Sequence, residues 1–428
     1  MNWAARHIVV LDLGFGDAGK GATVQWLADN LPLHGVVRFN GGAQAAHHVV
    51  LPDGRHHCFA QFGSGTFSGV PTYLSRFMML EPLALVNEAA SLARLGVPRP
   101  FDLLHLDRAG LLTTPLHAAA NRARELARGA GRHGSCGVGI GETRAYAIAY
   151  PQAAPLVGDL EHPRVLAGKL AALGDYLQGQ LGPLELPDTK ALVRFYRQFS
   201  RLVRIADQQP LIEMLQGGRA VFEGAQGVLL DESFGFHPHT TWTDTTGGNA
   251  RTLLAEAGQG DEMYKLGVLR SYTVRHGPGP MPSEDRGLLA GLPELHNTPG
   301  RWQGDFRVGH FDGVAHRYAL AVVGGVDGLA LTHLDRVSSG TRLVQGYVMD
   351  GRPVRNLPVS PRPDLGCQAE LARQLGRVRA VLGPPMVRQT VRMVQDALGV
   401  RVVLEGYGPA VDQRWLVDSQ GSAPALAA

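Results

Sequence analysis

The chain has 428 residues, with 41 basic and 38 acidic side chains and a formal charge of +3. This near balance argues against binding to nucleic acid or to a membrane through bulk charge, and we expect no export leader and no apolar window of about 18 residues that could span a membrane. Three cysteines, Cys58, Cys136 and Cys367, cannot all pair and show no C-x-x-C spacing, so we expect no disulfide framework and a reducing, cytoplasmic location.

The segment 7–30 predicts a strand, a glycine-rich turn and an amphipathic helix. Residues 14–20 have the P-loop spacing G-x-x-x-x-G-K, in which backbone N–H groups face a phosphate and the lysine reaches the outer phosphates. Two positions depart from that pattern. Gly21 stands where a P-loop has Ser or Thr to hold Mg²⁺, and Asp17 lies inside the loop. The loop is therefore expected to bind nucleotide phosphates and to direct a carboxylate at the reaction.

Further along the chain, apolar runs end in glycine-containing loops that carry polar groups. These runs are 36–39, 220–222, 329–332 and 402–404. Because ligands bind at the carboxyl ends of parallel strands, we expect the loops to converge on one site. Helical periodicity is clearest over 85–95, 117–128, 164–177, 189–205 and 368–382. The predicted fold class is α/β, with a large, mostly parallel sheet and flanking helices in one domain (1–418), followed by a flexible tail (419–428).

Several residues have simpler interpretations when they are taken alone. Asp17 could be a turn residue or a helix N-cap instead of a catalytic base. The histidine pairs 47–48 and 56–57 could suggest a metal cluster, but an alternating strand places the members of each pair on opposite faces. Cys136 could be a nucleophile, although a small packing residue is the simpler interpretation because no matched base is identifiable.

Eight motifs, taken together and in order, resemble those of the adenylosuccinate synthetase family. They are GDAGKG at 16–21 (GDEGKG in the family), GGAQAAHH at 41–48 (GGHNAGHT), EGAQG at 223–227, DTTGG at 244–248 (NTTAGG), RHGPGPMPSE at 275–284 (RVGAGPFPTE), RVGHFD at 307–312 (RTGWLD), THLD at 332–335 (TKLD) and YGP at 407–409. The resemblance spans nearly the whole chain. It implies a P-loop-like GTP-binding fold and a homodimer.

The resemblance also implies a GTP-dependent ligase that works in two steps. The γ-phosphoryl group of GTP goes to the 6-oxygen of IMP, and the amine of aspartate then displaces phosphate to give adenylosuccinate and GDP. Asp17 matches the base that acts on purine N1, and it matches a Mg²⁺ ligand together with the backbone carbonyl of Ala46. Lys20 and His47 would stabilise the transferring group, and Gln226 would orient the base through its amide.

The implied GTP site reads guanine through a carboxylate. Asp335 would accept hydrogen bonds from guanine N1–H and the amino group, which selects GTP over ATP. His333 beside it replaces the family's lysine. The residues that match the GTP site are Gly16, Gly19, Lys20, Gly21, His333, Asp335, Gly408 and Pro409.

The residues that differ from the family's motifs are concentrated at positions that match its binding site for the acceptor nucleotide. The positions that match its binding residues are Gln44, Ser135, Cys136, Gln152, Gln226 and Thr241. Gln152 replaces an arginine that the partner subunit lends to the IMP phosphate, and Val138 replaces another arginine. Two lost cations suggest a changed acceptor, unless Arg144 or a nearby arginine supplies the charge.

The amino-acid loop at 298–310 also differs. Thr298, Arg301 and Arg307 match residues that hold the carboxylates of aspartate, and Arg301 still favours a carboxylate ligand. Pro299 removes a backbone N–H, however, and Asp305 would repel an anion if it pointed inward. The amine donor is therefore left open between aspartate and another amine.

Three hypotheses follow from the sequence. The leading one is a GTP-dependent carbon–nitrogen ligase that joins aspartate to IMP with Mg²⁺. The second keeps the phosphoryl activation but uses another 6-oxopurine or lactam acceptor, such as a guanine nucleotide, or another amine. The third is a non-catalytic guanine-nucleotide-binding protein, against which the retention of both Asp17 and Gln226 speaks.

Overall fold

The helices and strands are taken from a computed structural model, which describes residues 6–292 and 302–417. The helices are α1 Lys20–Asn30, α2 Pro82–Arg94, α3 Pro115–Ala127, α4 Ile140–Ala149, α5 Pro163–Leu181, α6 Thr189–Phe199, α7 Gln209–Gly217, α8 Gly248–Glu256, α9 Gly313–Val322, α10 Leu365–Leu375 and α11 Thr390–Leu398. The strands are β1 His7–Asp12, β2 Leu33–Arg38, β3 His47–Val50, β4 His56–Phe59, β5 Thr72–Leu74, β6 Met79–Leu80, β7 Leu104–Asp107, β8 Leu111–Leu112, β9 Arg204–Ala206, β10 Arg219–Glu223, β11 Met263–Arg270, β12 Thr273–His276, β13 Phe306–Gly309, β14 Phe311–Asp312, β15 Gly328–Thr332, β16 Arg342–Met349, β17 Arg352–Val354, β18 Arg379–Pro385, β19 Val402–Gly406 and β20 Arg414–Leu416. Together they make an α/β fold, as the sequence predicts.

A ten-stranded sheet organises the molecule, in the order β20-β19-β15-β11-β1-β10-β2-β5-β7-β9. All neighbours in it are parallel except β19 and β20. The first strand lies near the centre, and all six of its residues are buried. A continuous apolar run of this kind is typical of a parallel strand covered on both faces. The central sheet therefore places the turn after β1 in the middle of its carboxyl edge.

Two hydrophobic cores cover the two faces of this sheet. Ile8 and Val10 belong to one core, and Val9 and Leu11 belong to the other. This division follows from the period of two along a strand, which sends successive side chains to opposite faces. A third, smaller cluster surrounds Tyr272. The strand that leads into the glycine-rich turn is thus anchored from both sides.

Two of the helices predicted from the sequence end early and are followed by strands. The helix predicted over 189–205 ends at Phe199, and residues 204–206 instead form the edge strand β9. The helix predicted over 368–382 ends at Leu375, and residues 379–385 form β18, which pairs with β16. Both predictions were wrong at their ends because Ile205 and Leu382 fit a helical period as well as a strand, and only the pairing partner distinguishes the two.

Smaller sheets stand beside the main one. β3 and β4 form a hairpin, and β12 pairs with β13 in antiparallel register. A four-stranded sheet contains β14, β16, β17 and β18. Among the described helices, none is long and apolar enough to cross a membrane. The β3–β4 hairpin and the β12–β13 pair carry residues of the site described below.

The apolar stripe of α5 provides a test of the packing. Leu173 is fully buried, whereas Val165 on the same helix is 50% exposed. We expect Leu173→Ala to lower the free energy of unfolding by about 2–5 kcal/mol, because it removes a buried side chain and leaves a cavity. Val165→Ala should change it by less than about 0.5 kcal/mol. Urea unfolding of both variants measures these changes. Equal losses of unfolding free energy in the two variants would contradict the burial of Leu173 and the exposure of Val165.

Candidate active site

The carboxylate of Asp12 lies beneath the turn between β1 and α1. Its Oδ1 accepts hydrogen bonds from the backbone N–H groups of Gly14 at 2.9 Å and Gly16 at 3.3 Å. Its Oδ2 accepts from the N–H of Ala18 at 3.1 Å and from Lys20 Nζ at 2.8 Å, and its side chain is fully buried. Three N–H groups that could have faced a phosphate are therefore bound internally, which leaves the first turn of α1 to meet an anion.

Asp12 was given no role by the sequence analysis. The available signal was an acidic residue at the end of a completely buried strand. A buried carboxylate requires hydrogen-bond partners, and the loop and Lys20 are the groups within reach.

Packing explains why residue 21 is glycine. A Cβ at Gly21 would lie 2.7 Å from the Cβ of His47, which is closer than real Cβ atoms approach. The hydroxyl residue of an ordinary P-loop has no space here. The same contact sets the start of β3 against the first turn of α1, and it brings His47 to the phosphate loop.

Asp17 points toward a histidine from another part of the chain. It has a positive φ of 58°, and its backbone carbonyl accepts from Arg270 Nε at 2.6 Å. His276, at the end of β12, places Nε2 2.8 Å from Asp17 Oδ2. Burial alone would raise the pKa of Asp17, but His276, Arg270 and Lys20 together lower it to about 2. The side chain is 27% exposed, so this carboxylate is ionised and accessible.

His47 is held by a buried glutamate. Its Nδ1 lies 2.6 Å from Glu223 Oε1, and Glu223 also accepts hydrogen bonds from the backbone N–H and hydroxyl of Ser64. Burial lowers the pKa of His47, and Glu223 counteracts that shift in part. The Nε2 of His47 is buried without a hydrogen-bond partner among the described residues. Nδ1 of His47 is thus bound by Glu223, and Nε2 remains available to a ligand.

Two glutamine amides face each other across Gly41. The side chains of Gln44 and Gln226 both lie within 4 Å of the position that a Cβ of Gly41 would take. Gln226 Oε1 and both amide atoms of Gln44 are buried and without a partner within the described chain. Because buried amides normally form hydrogen bonds, these atoms are expected to bind a polar ligand. The loop that carries Gln226 packs on the phosphate loop, since a Cβ at Gly227 would lie 2.2 Å from the carbonyl oxygen of Gly14.

The loop after β15 also reaches the phosphate loop. Thr332 Oγ1 donates to the carbonyl oxygen of Ala18 at 2.8 Å. His333 follows with a positive φ of 58°, and burial lowers its pKa well below the usual range, so the imidazole is neutral. Asp335 forms an ion pair with Arg336 at 3.2 Å. The carboxylate expected to read guanine therefore lies on a loop that is joined directly to the phosphate loop.

Residues after β19 complete this side of the site. β19 pairs in parallel with β15, so Gly408 and Pro409 emerge next to the loop of Asp335. Arg414 lies on the neighbouring strand β20. Burial lowers the pKa of Arg414 to about 10, and the negative charge of Asp335 opposes this shift. The two segments expected to frame one purine ring are neighbours in the fold.

The outward face of the β3–β4 hairpin carries the remaining histidines of the two pairs. His48 and His56 stack on each other with ring centroids 5.1 Å apart, whereas His47 and His57 are buried on the inner face. Within residues 6–292 and 302–417, no group of three or more His, Cys, Asp or Glu side chains could hold a metal ion. The alternation along the strands thus separates each histidine pair.

Known proteins are similar to this chain over nearly its whole length. A family model described as adenylosuccinate synthetase matches residues 9–415. The adenylosuccinate synthetase of Alkalilimnicola ehrlichii is 33% identical over 95% of this chain and 96% of its own length, and that of Neisseria gonorrhoeae is 32% identical over 95% and 97%. The chain belongs to the adenylosuccinate synthetase family. This confirms the resemblance and identifies a GTP-dependent carbon–nitrogen ligase.

Solved structures show the same fold. The fully ligated adenylosuccinate synthetase of Plasmodium falciparum superposes with a TM-score of 0.82 at 20% identity, covering 96% of this chain and 99% of its own. The succinoaminodeoxyadenylate synthetase of cyanophage S-2L, solved with dGMP and dATP, has a TM-score of 0.56 at 18% identity, covering 97% and 96%. At these identities the likeness concerns the fold alone.

The positions assigned to the acceptor phosphate have separate surroundings in the structure. Ser135 accepts a hydrogen bond from Asn121 Nδ2 at 2.8 Å, and burial raises the pKa of Cys136, which keeps it a thiol and argues against a nucleophile. The backbone N–H of Thr241 donates to a neighbouring carbonyl. Gln152 is exposed on the turn after α4.

Arginines near the acceptor and amino-acid loops are mostly engaged. Arg144, suggested as a replacement cation, lies 3.9 Å from Glu232. Arg307 donates to Glu284 and to the carbonyl oxygens of Gly277 and Gly279, so it braces the loop after β12. The other two residues assigned to the amino acid, Thr298 and Arg301, lie outside the described residues.

The pair of His47 and Glu223 predicts a pH dependence of stability. Burial would raise the pKa of Glu223, but His47 and Arg38 lower it to about 2, below its ordinary value of 4.5. A lowered folded-state pKa contributes stability that is complete above the unfolded value and is lost as pH falls toward the folded value. We expect Glu223→Gln to be less stable than the native chain by about 1–3 kcal/mol at neutral pH.

As pH falls from 4.5 toward about 2, the two proteins should converge progressively, because the native chain loses the contribution that the variant lacks. Urea unfolding at a series of pH values between about 6 and about 3 measures this difference. A constant difference across that range would contradict the assignment of an ionised, paired Glu223.

Proposed function

We propose that the enzyme transfers the γ-phosphoryl group of GTP to the 6-oxygen of IMP and then joins aspartate at that carbon, with adenylosuccinate, GDP and phosphate as products. The observation that supports this most directly is the convergence of Asp17, Lys20, His47 and Gln226 at the carboxyl edge of the sheet. These groups supply a base, a cation, a hydrogen-bond donor and an orienting amide. They are the parts that phosphorylation of a lactam oxygen requires.

Each residue has a distinct role in the first step. Asp17 takes the proton from purine N1 as charge moves to the 6-oxygen. Lys20 and the N–H groups at the start of α1 offset negative charge on the transferring phosphoryl group. His47 directs Nε2 at the phosphoryl oxygens and donates when protonated, with Glu223 stabilising the imidazolium. Gln226 holds the purine through its amide, whose Oε1 has no hydrogen-bond partner among the described residues.

Magnesium fits the same loop. Asp17 supplies a partly exposed carboxylate, and residue 46, whose carbonyl would be the second ligand, is exposed next to His47. Carboxylate and carbonyl oxygens are ligands that Mg²⁺ accepts, with phosphates and waters completing its shell. Mg²⁺ held by Asp17 and Ala46 would neutralise negative charge on the phosphates during the transfer.

Recognition of GTP is assigned to two loops. The phosphates bind at Gly19, Lys20 and Gly21, where α1 begins, and Gly16 shapes the loop through its bond to Asp12. Guanine binds between the loop of His333 and Asp335 and the segment of Gly408 and Pro409. Asp335 accepts from the guanine N1–H and amino group, a pattern that adenine lacks.

The acceptor and the amino acid bind on the other side of Asp17. Gln44, Gln226, Ser135, Cys136 and Thr241 are assigned to the nucleotide, and Thr298, Arg301 and Arg307 are assigned to the carboxylates of aspartate. Gln152 is exposed in one chain, and we assign it to the acceptor site of the partner in a cytoplasmic homodimer.

A different acceptor is not favoured. Relatives that match 95% of the chain are named adenylosuccinate synthetases, including one from Methylibium petroleiphilum. The loss of two cations therefore predicts weaker binding of the acceptor phosphate. It does not predict a different reaction. A neutral amide replaces a bidentate arginine only in part.

Acceptor use can be measured by phosphate release from GTP with Mg²⁺. We expect turnover with IMP and aspartate, with adenylosuccinate identified by mass, and a KM for IMP above about 0.1 mM because the phosphate contacts are weak. GMP, dGMP and inosine in place of IMP should release at least tenfold less phosphate. Turnover with another acceptor, and none with IMP, would contradict the proposal.

The base assignment is tested by Asp17→Asn. This change keeps the size of the side chain but removes the basic oxygen, so we expect kcat to fall by about 10²–10⁴-fold. Asp53→Asn is the matched control, because Asp53 is exposed on the far turn of the β3–β4 hairpin and should leave kcat unchanged. Activity of Asp17→Asn within about tenfold of the native enzyme would show that another group removes the proton.

A further inference from the structure

His276 lies outside the phosphate loop and forms a hydrogen bond with the carboxylate of Asp17. Its Nε2 lies 2.8 Å from Asp17 Oδ2 across 259 positions of sequence. An ionised carboxylate only accepts hydrogen bonds, so Nε2 carries the proton and donates it. The family motif quoted for this stretch has valine at the corresponding position, which could not form this bond.

The histidine is well placed to act as a support. It ends β12, and its backbone pairs across the ladder with Phe306 of β13. Its ring lies against the ring of Phe306 with centroids 4.9 Å apart in a T-shaped arrangement. A ring packed on a strand pair has little rotamer freedom, so the position of Nε2 is set by the fold.

Asp17 needs such a support because its loop is glycine-rich. The backbone of Asp17 is fixed by Arg270, which donates to its carbonyl oxygen at 2.6 Å. The neighbouring N–H groups of Gly16 and Ala18 bind Asp12, so within the described part of the chain these two groups do not hold the side chain of Asp17. The bond from His276 therefore restricts the rotation of the carboxylate.

We propose that His276 is a positioning residue for the general base: its Nε2–H holds Oδ2 of Asp17 and thereby turns Oδ1 toward the acceptor. This proposal rests on the function proposed for Asp17. Positioning affects the chemical step more than the binding of GTP, because Oδ1 of the held carboxylate contacts the purine N1–H in the transition state. Loss of alignment by about 1 Å at such a site costs up to about 10²-fold in rate.

Three substitutions at one position separate positioning from packing. His276→Val removes the donor. His276→Gln places an amide Nε2 at about the same reach as the imidazole Nε2, and His276→Asn places its amide one bond short. We expect kcat to fall by about 10–100-fold in His276→Val and His276→Asn and to stay within about threefold in His276→Gln, with KM for GTP unchanged in all three. Steady-state phosphate release with IMP and aspartate gives both constants.

A purely structural role for the ring predicts a different order. The two amides would then behave alike, and thermal stability would fall together with activity. Equal kcat values for His276→Gln and His276→Asn, or a kcat for His276→Val within about twofold of the native enzyme, would overturn the proposal.

Combination with Asp17→Asn distinguishes this proposal from the one on which it depends. If His276 acts through the carboxylate, His276→Val should have almost no further effect on kcat in the Asp17→Asn background. Full activity of Asp17→Asn alone would refute the base assignment and the proposal together. An inactive Asp17→Asn with undiminished His276→Val would refute the role of His276 only.

Discussion

The buried carboxylate of Asp12 is the interaction on which the active site depends. It closes the turn after β1 by binding three backbone N–H groups, and it holds the ammonium group of Lys20 at 2.8 Å. A buried pair of this kind is costly to break, because either charge alone would remain in a dry environment. The shape of the phosphate loop is therefore set by an anion that belongs to the protein, before any nucleotide arrives.

From this turn, direct contacts extend to the other functional loops. Gly21 packs on His47, Thr332 binds the carbonyl of Ala18, and the loop after β10 rests on Gly14. The site is thus one connected structure on the carboxyl edge of a parallel sheet, where the strand order around β1 brings four loops together. A displacement of the phosphate loop would move the base, the guanine loop and His47 at the same time.

Two reactive side chains of the site, His47 and Asp17, are each paired through one atom, which leaves their other polar atom available. Glu223 engages Nδ1 of His47 and leaves Nε2 without a partner among the described residues, and His276 engages one oxygen of Asp17. Glu223 therefore fixes the orientation and the ionisation of His47, and His276 does the same for Asp17. Arg307, assigned to the carboxylates of aspartate, is likewise held in place by Glu284 and two backbone carbonyls.

The sequence by itself determined the fold class, the strand–turn–helix at the N-terminus and the family, because periodicity and glycine spacing are local and the motifs are ordered along the chain. It placed the ends of α6 and α10 wrongly, since strand pairing there depends on distant partners. Only the tertiary structure decided that Asp12, Glu223 and His276 support Lys20, His47 and Asp17. Each contact except that of Asp12 joins residues more than 150 positions apart, and no local pattern encodes such a distance.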